Sequence, residues 1–129
     1  TIHMSPRKVA ECPVLVPKVD SDGNEVAGIK SPDLLAPLGT YTGWNLRESG
    51  YAAGELCGLT GSYLPFAETE AERLMNGDPR PSLEARYGDH QGYVDAVHAA
   101  VEQLVAERLL LPSDAERYLQ RAESSSVLR

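Results

Sequence analysis

The apolar positions in the C-terminal half of the chain recur at helical spacing. They lie three or four residues apart between positions 90 and 111: Tyr93, Val97, Ala100, Val101, Leu104, Val105 and Leu109. This pattern predicts one long helix over residues 90–111 with a single wide apolar face. Asp89 is suited to cap its start, and Pro112 ends it.

Two short helices are predicted before the long helix, and one is predicted after it. Each begins at a serine or threonine that can accept a hydrogen bond from the first turn. The predicted caps and helices are Thr69 for residues 70–75, Ser82 for 83–87, and Ser113 for 114–122. Together with the long helix they predict a C-terminal cluster of three to four helices.

The N-terminal region alternates between strand-forming and turn-forming residues. Residues 14–19 and 26–29 are rich in β-formers, and the acidic stretch 20–24 between them contains Gly23, which favours a turn. We therefore expect a β-hairpin. The acidic turn partly resembles a calcium loop, but position 12 of such a loop is Ser31 and not a bidentate Glu, so the turn is favoured.

Residues 31–66 have no clean helical or strand period. Pro32 and Pro37 break helices, and residues 39–66 hold many glycines, the only tryptophan and the only phenylalanine. Such a long irregular stretch either packs against a larger body or is functional. The predicted fold class is α+β: an N-terminal β-hairpin, a long irregular glycine- and aromatic-rich loop, and a C-terminal helical cluster.

Length and charge narrow the function classes. A chain of 129 residues suits one domain, and its net charge of −7 argues against a nucleic-acid partner. No apolar run approaches the ~18 residues of a membrane helix, and no signal peptide is visible, so we expect a soluble protein of unknown compartment with no membrane partner. Residues 1–4 look like a cloning remnant, 5–123 like a single α+β domain or a fragment of a larger protein, and 124–129 like a flexible tail.

The sequence offers no catalytic or metal-binding motif. A nucleophile elbow, G-x-S-x-G, is missing, since Gly61-Ser62 is followed by Tyr63-Leu64. No H-E-x-x-H motif is present, and His90 and His98 are eight residues apart. We predict no catalytic residue, no metal site and no cofactor.

Two further features stay open at this stage. Cys12 and Cys57 are two free thiols or form one disulfide. Six residues of the irregular stretch are candidates for lining a pocket or an interface: Tyr41, Trp44, Arg47, Glu55, Tyr63 and Phe66. If this stretch is buried, Arg47 and Glu55 need partners, and pairing with each other is the simplest solution.

Several segments together resemble a known family. They are "VDSDGNEVAGI", "PLGTYTGWNLR", "GELCGLTGSYLPFAETEAER", "NGDPRPSLEARYG" and "LVAERLLLPSDAERYL". Over roughly residues 14–122 the chain resembles the C-terminal part of a family of bacterial α/β-hydrolase domain proteins. The resemblance implies hydrolase or esterase-like activity for the complete protein, with the catalytic serine and its triad partners upstream of the matching region.

Two functional hypotheses follow from these observations. In the first, the chain is the non-catalytic C-terminal segment of an α/β-hydrolase and packs on a catalytic portion, with the glycine- and aromatic-rich stretch wrapped against a larger sheet. In the second, it is a small interaction module that forms homo-oligomers through the long helix and the Trp44 loop.

The missing nucleophile elbow leads to a first prediction. We expect the purified chain to hydrolyse p-nitrophenyl esters no faster than a buffer blank, because a triad needs nucleophile, base and orienting acid held together. The rate of p-nitrophenol release measures this. Turnover that survives extensive purification and disappears in His98→Ala would contradict it.

Overall fold

A computed structural model describes residues 15–58 and 60–129 of the chain. Its elements are α1 (Pro32–Leu35), β1 (Gly39–Thr42), β2 (Ser62–Pro65), α2 (Glu70–Asn76), α3 (Leu83–Tyr87), α4 (His90–Ala106) and α5 (Pro112–Ser124). The predicted α+β class is confirmed, with four helices following the strands. The predicted cloning remnant, Cys12 and the first residue of the predicted hairpin lie outside the described residues.

Helix α4 carries the predicted apolar face. Asp89 caps it by accepting a hydrogen bond from the Gly92 N–H over 2.9 Å. The buried side chains are Tyr93, Val94, Val97, Ala100, Val101 and Leu104. They face α1, α3 and α5, which all pack on α4, so this helix is the centre of the core.

The predicted C-terminal end of the long helix is wrong. Helix α4 ends at Ala106 because Arg108 takes a left-handed φ of 61° and the amides of Leu109 and Leu110 bond back to the Leu104 carbonyl. Leu109 and Leu111 are consequently 46% and 65% exposed. The leucine run that extends the apolar pattern is a turn between two helices.

Two of the three predicted short-helix caps are confirmed. The Thr69 hydroxyl accepts from the Glu72 N–H, and the Ser82 hydroxyl accepts from the Ala85 N–H, each over 3.2 Å. The cap at Ser113 is wrong, because α5 already begins at Pro112 with Leu111 at the N-cap. Proline is pre-organised for the first helical position and has no N–H to leave unsatisfied there.

Helix α5 and the α3 segment complete the core around α4. The small side chains of Ala115 and Ala122, 8% and 1% exposed, allow α5 to approach α4 closely. Tyr87 of α3 meets Tyr93 edge-on with ring centroids 5.5 Å apart, and its hydroxyl donates to the Pro37 carbonyl over 2.8 Å. The helical cluster is thereby joined to the segment that leads into β1.

The strands are not where the sequence pattern places them. β1 and β2 pair antiparallel, with Thr40 opposite Leu64, inside the stretch for which irregular backbone was predicted. Glycines enable this pairing: a Cβ at Gly39 would lie 2.5 Å from the Leu64 carbonyl oxygen, and one at Gly61 would lie 2.2 Å from that of Thr42. In this stretch the glycines mark close backbone approach within a sheet.

The predicted N-terminal hairpin is present in shortened form. Its turn is formed, but the ladder consists of one antiparallel bridge between Val19 and Glu25. Pro17 lacks an N–H, so it cannot extend the ladder as a donor.

Within the described residues, no helix has the length and apolar content needed to span a membrane.

Gly92 provides a test of this packing. On helix propensity alone, Gly92→Ala should stabilise α4 by about 1 kcal/mol. A Cβ at Gly92 would instead lie 1.9 Å from the Tyr87 carbonyl oxygen. We therefore expect Gly92→Ala to lower the free energy of unfolding by about 1–3 kcal/mol in urea titrations.

The matched control is Gly43→Ala, because a Cβ there meets nothing within 4 Å. It should change the free energy of unfolding by no more than about 0.5 kcal/mol. A stabilised Gly92→Ala chain would show that α3 does not end against the first turn of α4.

Candidate functional site

An open groove of about 440 Å³ lies between the N-terminal turn and the sheet. We call it the Trp44 groove; its main lining residues are Val16, Pro17, Val19, Tyr41, Trp44 and Leu64. Val19, Trp44 and Leu64 are 48%, 54% and 52% exposed, so their apolar side chains face solvent together. These side chains make the groove a candidate surface for apolar contacts.

A buried asparagine fixes the wall of the Trp44 groove. The side-chain amide of Asn24 donates to the Gly39 carbonyl over 3.1 Å and accepts from the Tyr41 N–H over 2.8 Å. Asp20 shapes the turn by accepting from the N–H groups of Asp22 and Asn24. The predicted turn is thus confirmed, and these side chains serve the turn and its attachment to β1.

An arginine cluster surrounds Phe66, the residue that directly follows β2. Phe66 is 5% exposed, and the guanidinium carbons of Arg86 and Arg80 lie 4.1 and 5.0 Å from its ring centroid. Arg86 also forms an ion pair with Asp22, so it connects α3 to the N-terminal turn. Cation–π contact explains how one aromatic ring accommodates two cations that are each paired with a carboxylate.

Arg80 makes the largest number of connections in this cluster. Its guanidinium pairs with the Asp78 carboxylate over 2.6 Å. It also donates to the Thr40 hydroxyl over 2.8 Å and to the carbonyl oxygens of Leu64 and Pro65 over 3.0 and 3.2 Å. The hydrogen bonds from Arg80 lower the pKa of Asp78 to about 2 and raise the pKa of Arg80. Both groups are therefore charged at neutral pH.

Two tyrosines of the candidate set meet on the sheet. Tyr41 and Tyr63 lie opposite each other with ring centroids 5.0 Å apart. Burial, followed by the neighbouring Tyr63, raises the pKa of Tyr41 to about 12, and burial also raises the pKa of Tyr63. Both phenols are neutral at physiological pH, and Tyr63 donates to the Leu38 carbonyl over 3.1 Å. Both rings act here as packing groups, and Tyr63 is also a hydrogen-bond donor.

The remaining two candidates lie on an exposed ribbon formed by residues 45–57. Arg47 and Glu55 are joined through their backbones, since the Arg47 N–H donates to the Glu55 carbonyl over 2.9 Å. Their side chains form no ion pair, so the predicted mutual charge pairing is wrong for the described chain. The premise of burial fails: Tyr51 at the ribbon turn is 93% exposed, and both charged residues are exposed as well.

The candidate set therefore divides among three places. Tyr41 and Trp44 line the groove together with Leu64, which sequence reasoning missed, and Tyr63 packs against Tyr41 without lining the groove. Phe66 belongs to the arginine cluster, and Arg47 and Glu55 to the ribbon. Alternation of side chains along β2 is the signal that would have placed Leu64 on the same face as Thr40. No sequence signal marks Asn24 or Arg80, whose partners are distant in the chain.

The two histidines of the described chain contact groups other than serine. His98 lies 3.6 Å from the Glu102 carboxylate on the exposed side of α4. The His90 ring nitrogens face the carbonyl oxygens of Val127 and Glu123 over 2.8 and 3.3 Å, which brings the C-terminal tail against the start of α4. The mobility of that tail stays a prediction.

Metal-ligand and thiol chemistry have limited support in the residues described. In 15–58 and 60–129, no group of three His, Cys, Asp or Glu side chains is arranged to hold a metal ion. Cys57 is a free, partly buried thiol. The chemically distinctive features of this part of the chain are therefore the Trp44 groove and the arginine cluster.

Comparison with known proteins gives one match. Residues 2–120 match the family described as "Alpha/beta hydrolase domain". No curated protein and no solved structure matches the chain. The matched region includes the sheet, the Trp44 groove, the arginine cluster and most of the helical core.

The Asp78–Arg80 pair generates a pH prediction. The folded-state pKa of Asp78 is depressed to about 2, so its stabilising contribution is present above its unfolded pKa and lost as the pH falls from about 4 to about 2. We expect Asp78→Asn to lower the free energy of unfolding at about pH 6 by about 1.5 kcal/mol, which is the lower end of the range for hydrogen bonds to charged groups. The deficit should shrink toward about pH 2.

Urea titrations at several pH values measure this difference. Asp95→Asn is the control, because Asp95 lies on the exposed face of α4 and bonds only to the Gln91 side chain in the described structure. A deficit for Asp78→Asn that is constant across the pH range would show that the carboxylate charge does not stabilise the fold.

Proposed function

We propose, because the chain belongs to the alpha/beta hydrolase domain family, that it is the non-catalytic C-terminal segment of an esterase-like hydrolase. In this proposal the chain packs on a catalytic portion that carries the nucleophile. Nucleophile, base and acid of such enzymes converge at the edge of a large sheet, with the serine on a strand-to-helix elbow. In this proposal the nucleophile, base and acid all lie in the catalytic portion.

The size of the sheet supports this assignment. Within the described residues the regular sheet consists of two antiparallel strands of four residues each. A two-stranded hairpin is marginal alone and needs a body to pack against. Here Arg80 attaches it to the arginine cluster, and the Trp44 groove beside it is open to solvent.

The exposed apolar Trp44 groove is the observation that carries the proposal. Val19, Trp44 and Leu64 each leave about half of their surface to solvent. Covering all of them would contribute about 1 kcal/mol per half-exposed side chain, from the area removed from water. The neighbouring ribbon adds Leu46 and Leu56, which pair across it and are 47% and 64% exposed.

The charged candidates fit the rim of such an interface. Arg47 and Glu55 lie on the ribbon that borders the groove, and their side chains are free of mutual pairing. Rim charges of this kind orient a partner and set the rate of association more than they set affinity. Tyr41 and Trp44 supply the aromatic anchors, a residue type enriched at interface centres.

Self-association is the second candidate function, and one observation bears on its geometry. The apolar face of α4 is covered by α1, α3 and α5 of the same chain. A second copy would therefore dock through the Trp44 groove and the ribbon, without the long helix. The same surface serves both candidates, so the identity of the occupant has to be measured.

Co-expression tests the proposal. The chain is purified by an affinity tag after co-expression with a G-x-S-x-G-containing catalytic polypeptide of the same family, and p-nitrophenyl ester hydrolysis is measured on the complex. We expect activity in the complex and at least about a tenfold loss of affinity in Leu64→Asp, since one charge buried in an apolar interface costs more than about 1.4 kcal/mol. Leu111→Asp is the control, because Leu111 is 65% exposed and outside the groove.

Light scattering of the chain alone separates the two functions. A dimer that Leu64→Asp dissociates, with no complex formed with the catalytic polypeptide, favours self-association. A complex that forms equally well with Leu64→Asp and Leu111→Asp would rule out the Trp44 groove as the interface.

A further inference from the structure

The outer edge of β1 is closed by a side chain. An open strand edge presents unpaired N–H and C=O groups to which another strand can bond. On β1 the Gly39 carbonyl and the Tyr41 N–H are instead bonded to the Asn24 amide, over 3.1 and 2.8 Å. A side-chain amide has the same donor and acceptor as a peptide group, so Asn24 occupies the place of a third strand.

Burial makes this arrangement costly to undo. Asn24 is 2% exposed, and the neighbouring Thr40 hydroxyl donates to the Asp22 carbonyl, which fixes the turn beside it. A strand that added to β1 would have to take both backbone groups from Asn24. It would then leave a buried amide without partners, and each such group costs about 1–3 kcal/mol.

The outer edge of β2 is closed at one end, by Pro65. Pro65 has no N–H to offer a neighbouring strand, and its carbonyl accepts from Arg80 over 3.2 Å. The Leu64 carbonyl also accepts from this guanidinium over 3.0 Å, but it points toward β1. Asp78 holds Arg80 in position over 2.6 Å, so an ion pair covers the Pro65 end of this edge.

We infer that the catalytic portion joins this chain by packing side chains against it and not by extending its two-stranded sheet. This inference rests on the proposed function and specifies its interface. Main-chain addition to an exposed edge is a common recognition mode, and both edges here disfavour it. The two-stranded sheet is accordingly a unit separate from the catalytic sheet.

Hydrogen exchange of the chain alone tests the closed edge of β1. The Tyr41 amide should exchange slowly in the native chain and at least about tenfold faster in Asn24→Ala, corresponding to loss of about 1.4 kcal/mol of protection. Asn24→Asp keeps the acceptor for the Tyr41 N–H but loses the donor to the Gly39 carbonyl, so the Tyr41 amide should exchange at an intermediate rate, which provides the comparison where Asn24→Ala fails to fold. Asn76→Ala, an exposed position at the end of α2, is the matched control.

A strand-forming probe tests the mode of association directly. The labelled peptide LGTYTGW, which repeats residues 38–44, is titrated against each variant by fluorescence anisotropy. We expect no binding to the native chain or to Asn76→Ala, and binding to Asn24→Ala. Peptide binding to the native chain with loss of the Asn24 hydrogen bonds would overturn the inference.

Measuring the affinity of the complex with the catalytic polypeptide provides a third test of the inference. Strand addition requires that opening the edge with Asn24→Ala strengthens the complex, whereas side-chain packing requires that it does not. A strengthened complex would overturn the inference and leave the proposed function standing. Absence of any complex would count against the proposed function, while exchange and peptide binding still decide whether the edge is closed.

Discussion

The position of the sheet depends on the guanidinium group of Arg80. It bonds at once to the Asp78 carboxylate, the Thr40 hydroxyl and the carbonyl oxygens at the end of β2. A planar cation with five fixed donors can bond to several acceptors in this way, and a lysine cannot reproduce the pattern. The link between α2 and α3 is thus attached to both strands, and the guanidinium carbon of Arg80 lies 5.0 Å from the centroid of the Phe66 ring.

The helical half of the molecule could be predicted from sequence because its determinants are local. The stripe from Tyr93 to Leu104 repeats at helical spacing, and Asp89, Thr69 and Ser82 cap the turns that follow them. The errors in this half are also local. Arg108 in a left-handed conformation ends α4, and α5 starts at Pro112, one residue before Ser113, its predicted cap.

The sheet and the candidate site could be predicted only in part, because their determinants are distant in the chain. The bonds that define them join residues 15, 40 and 64 positions apart: Asn24 to Gly39, Arg80 to Thr40, and Arg86 to Asp22. No periodicity encodes such pairs. High glycine content predicts an irregular backbone for residues 39–66, whereas Gly39 and Gly61 permit the close approach on which the strand pairing depends.

The same long-range bonds determine which surfaces are left for a partner. Asn24 and Arg80 satisfy backbone groups that would otherwise recruit a strand, and they bring the N-terminal turn against β1 so that Val19, Trp44 and Leu64 line one groove. The hydrogen bonds of Asn24 and Arg80 therefore both cover edge groups of the sheet and shape the exposed groove. A chain that satisfies its own backbone but leaves aromatic and aliphatic side chains half exposed favours association by side-chain burial. The proposed function of this member of the alpha/beta hydrolase domain family assigns that surface to a catalytic portion.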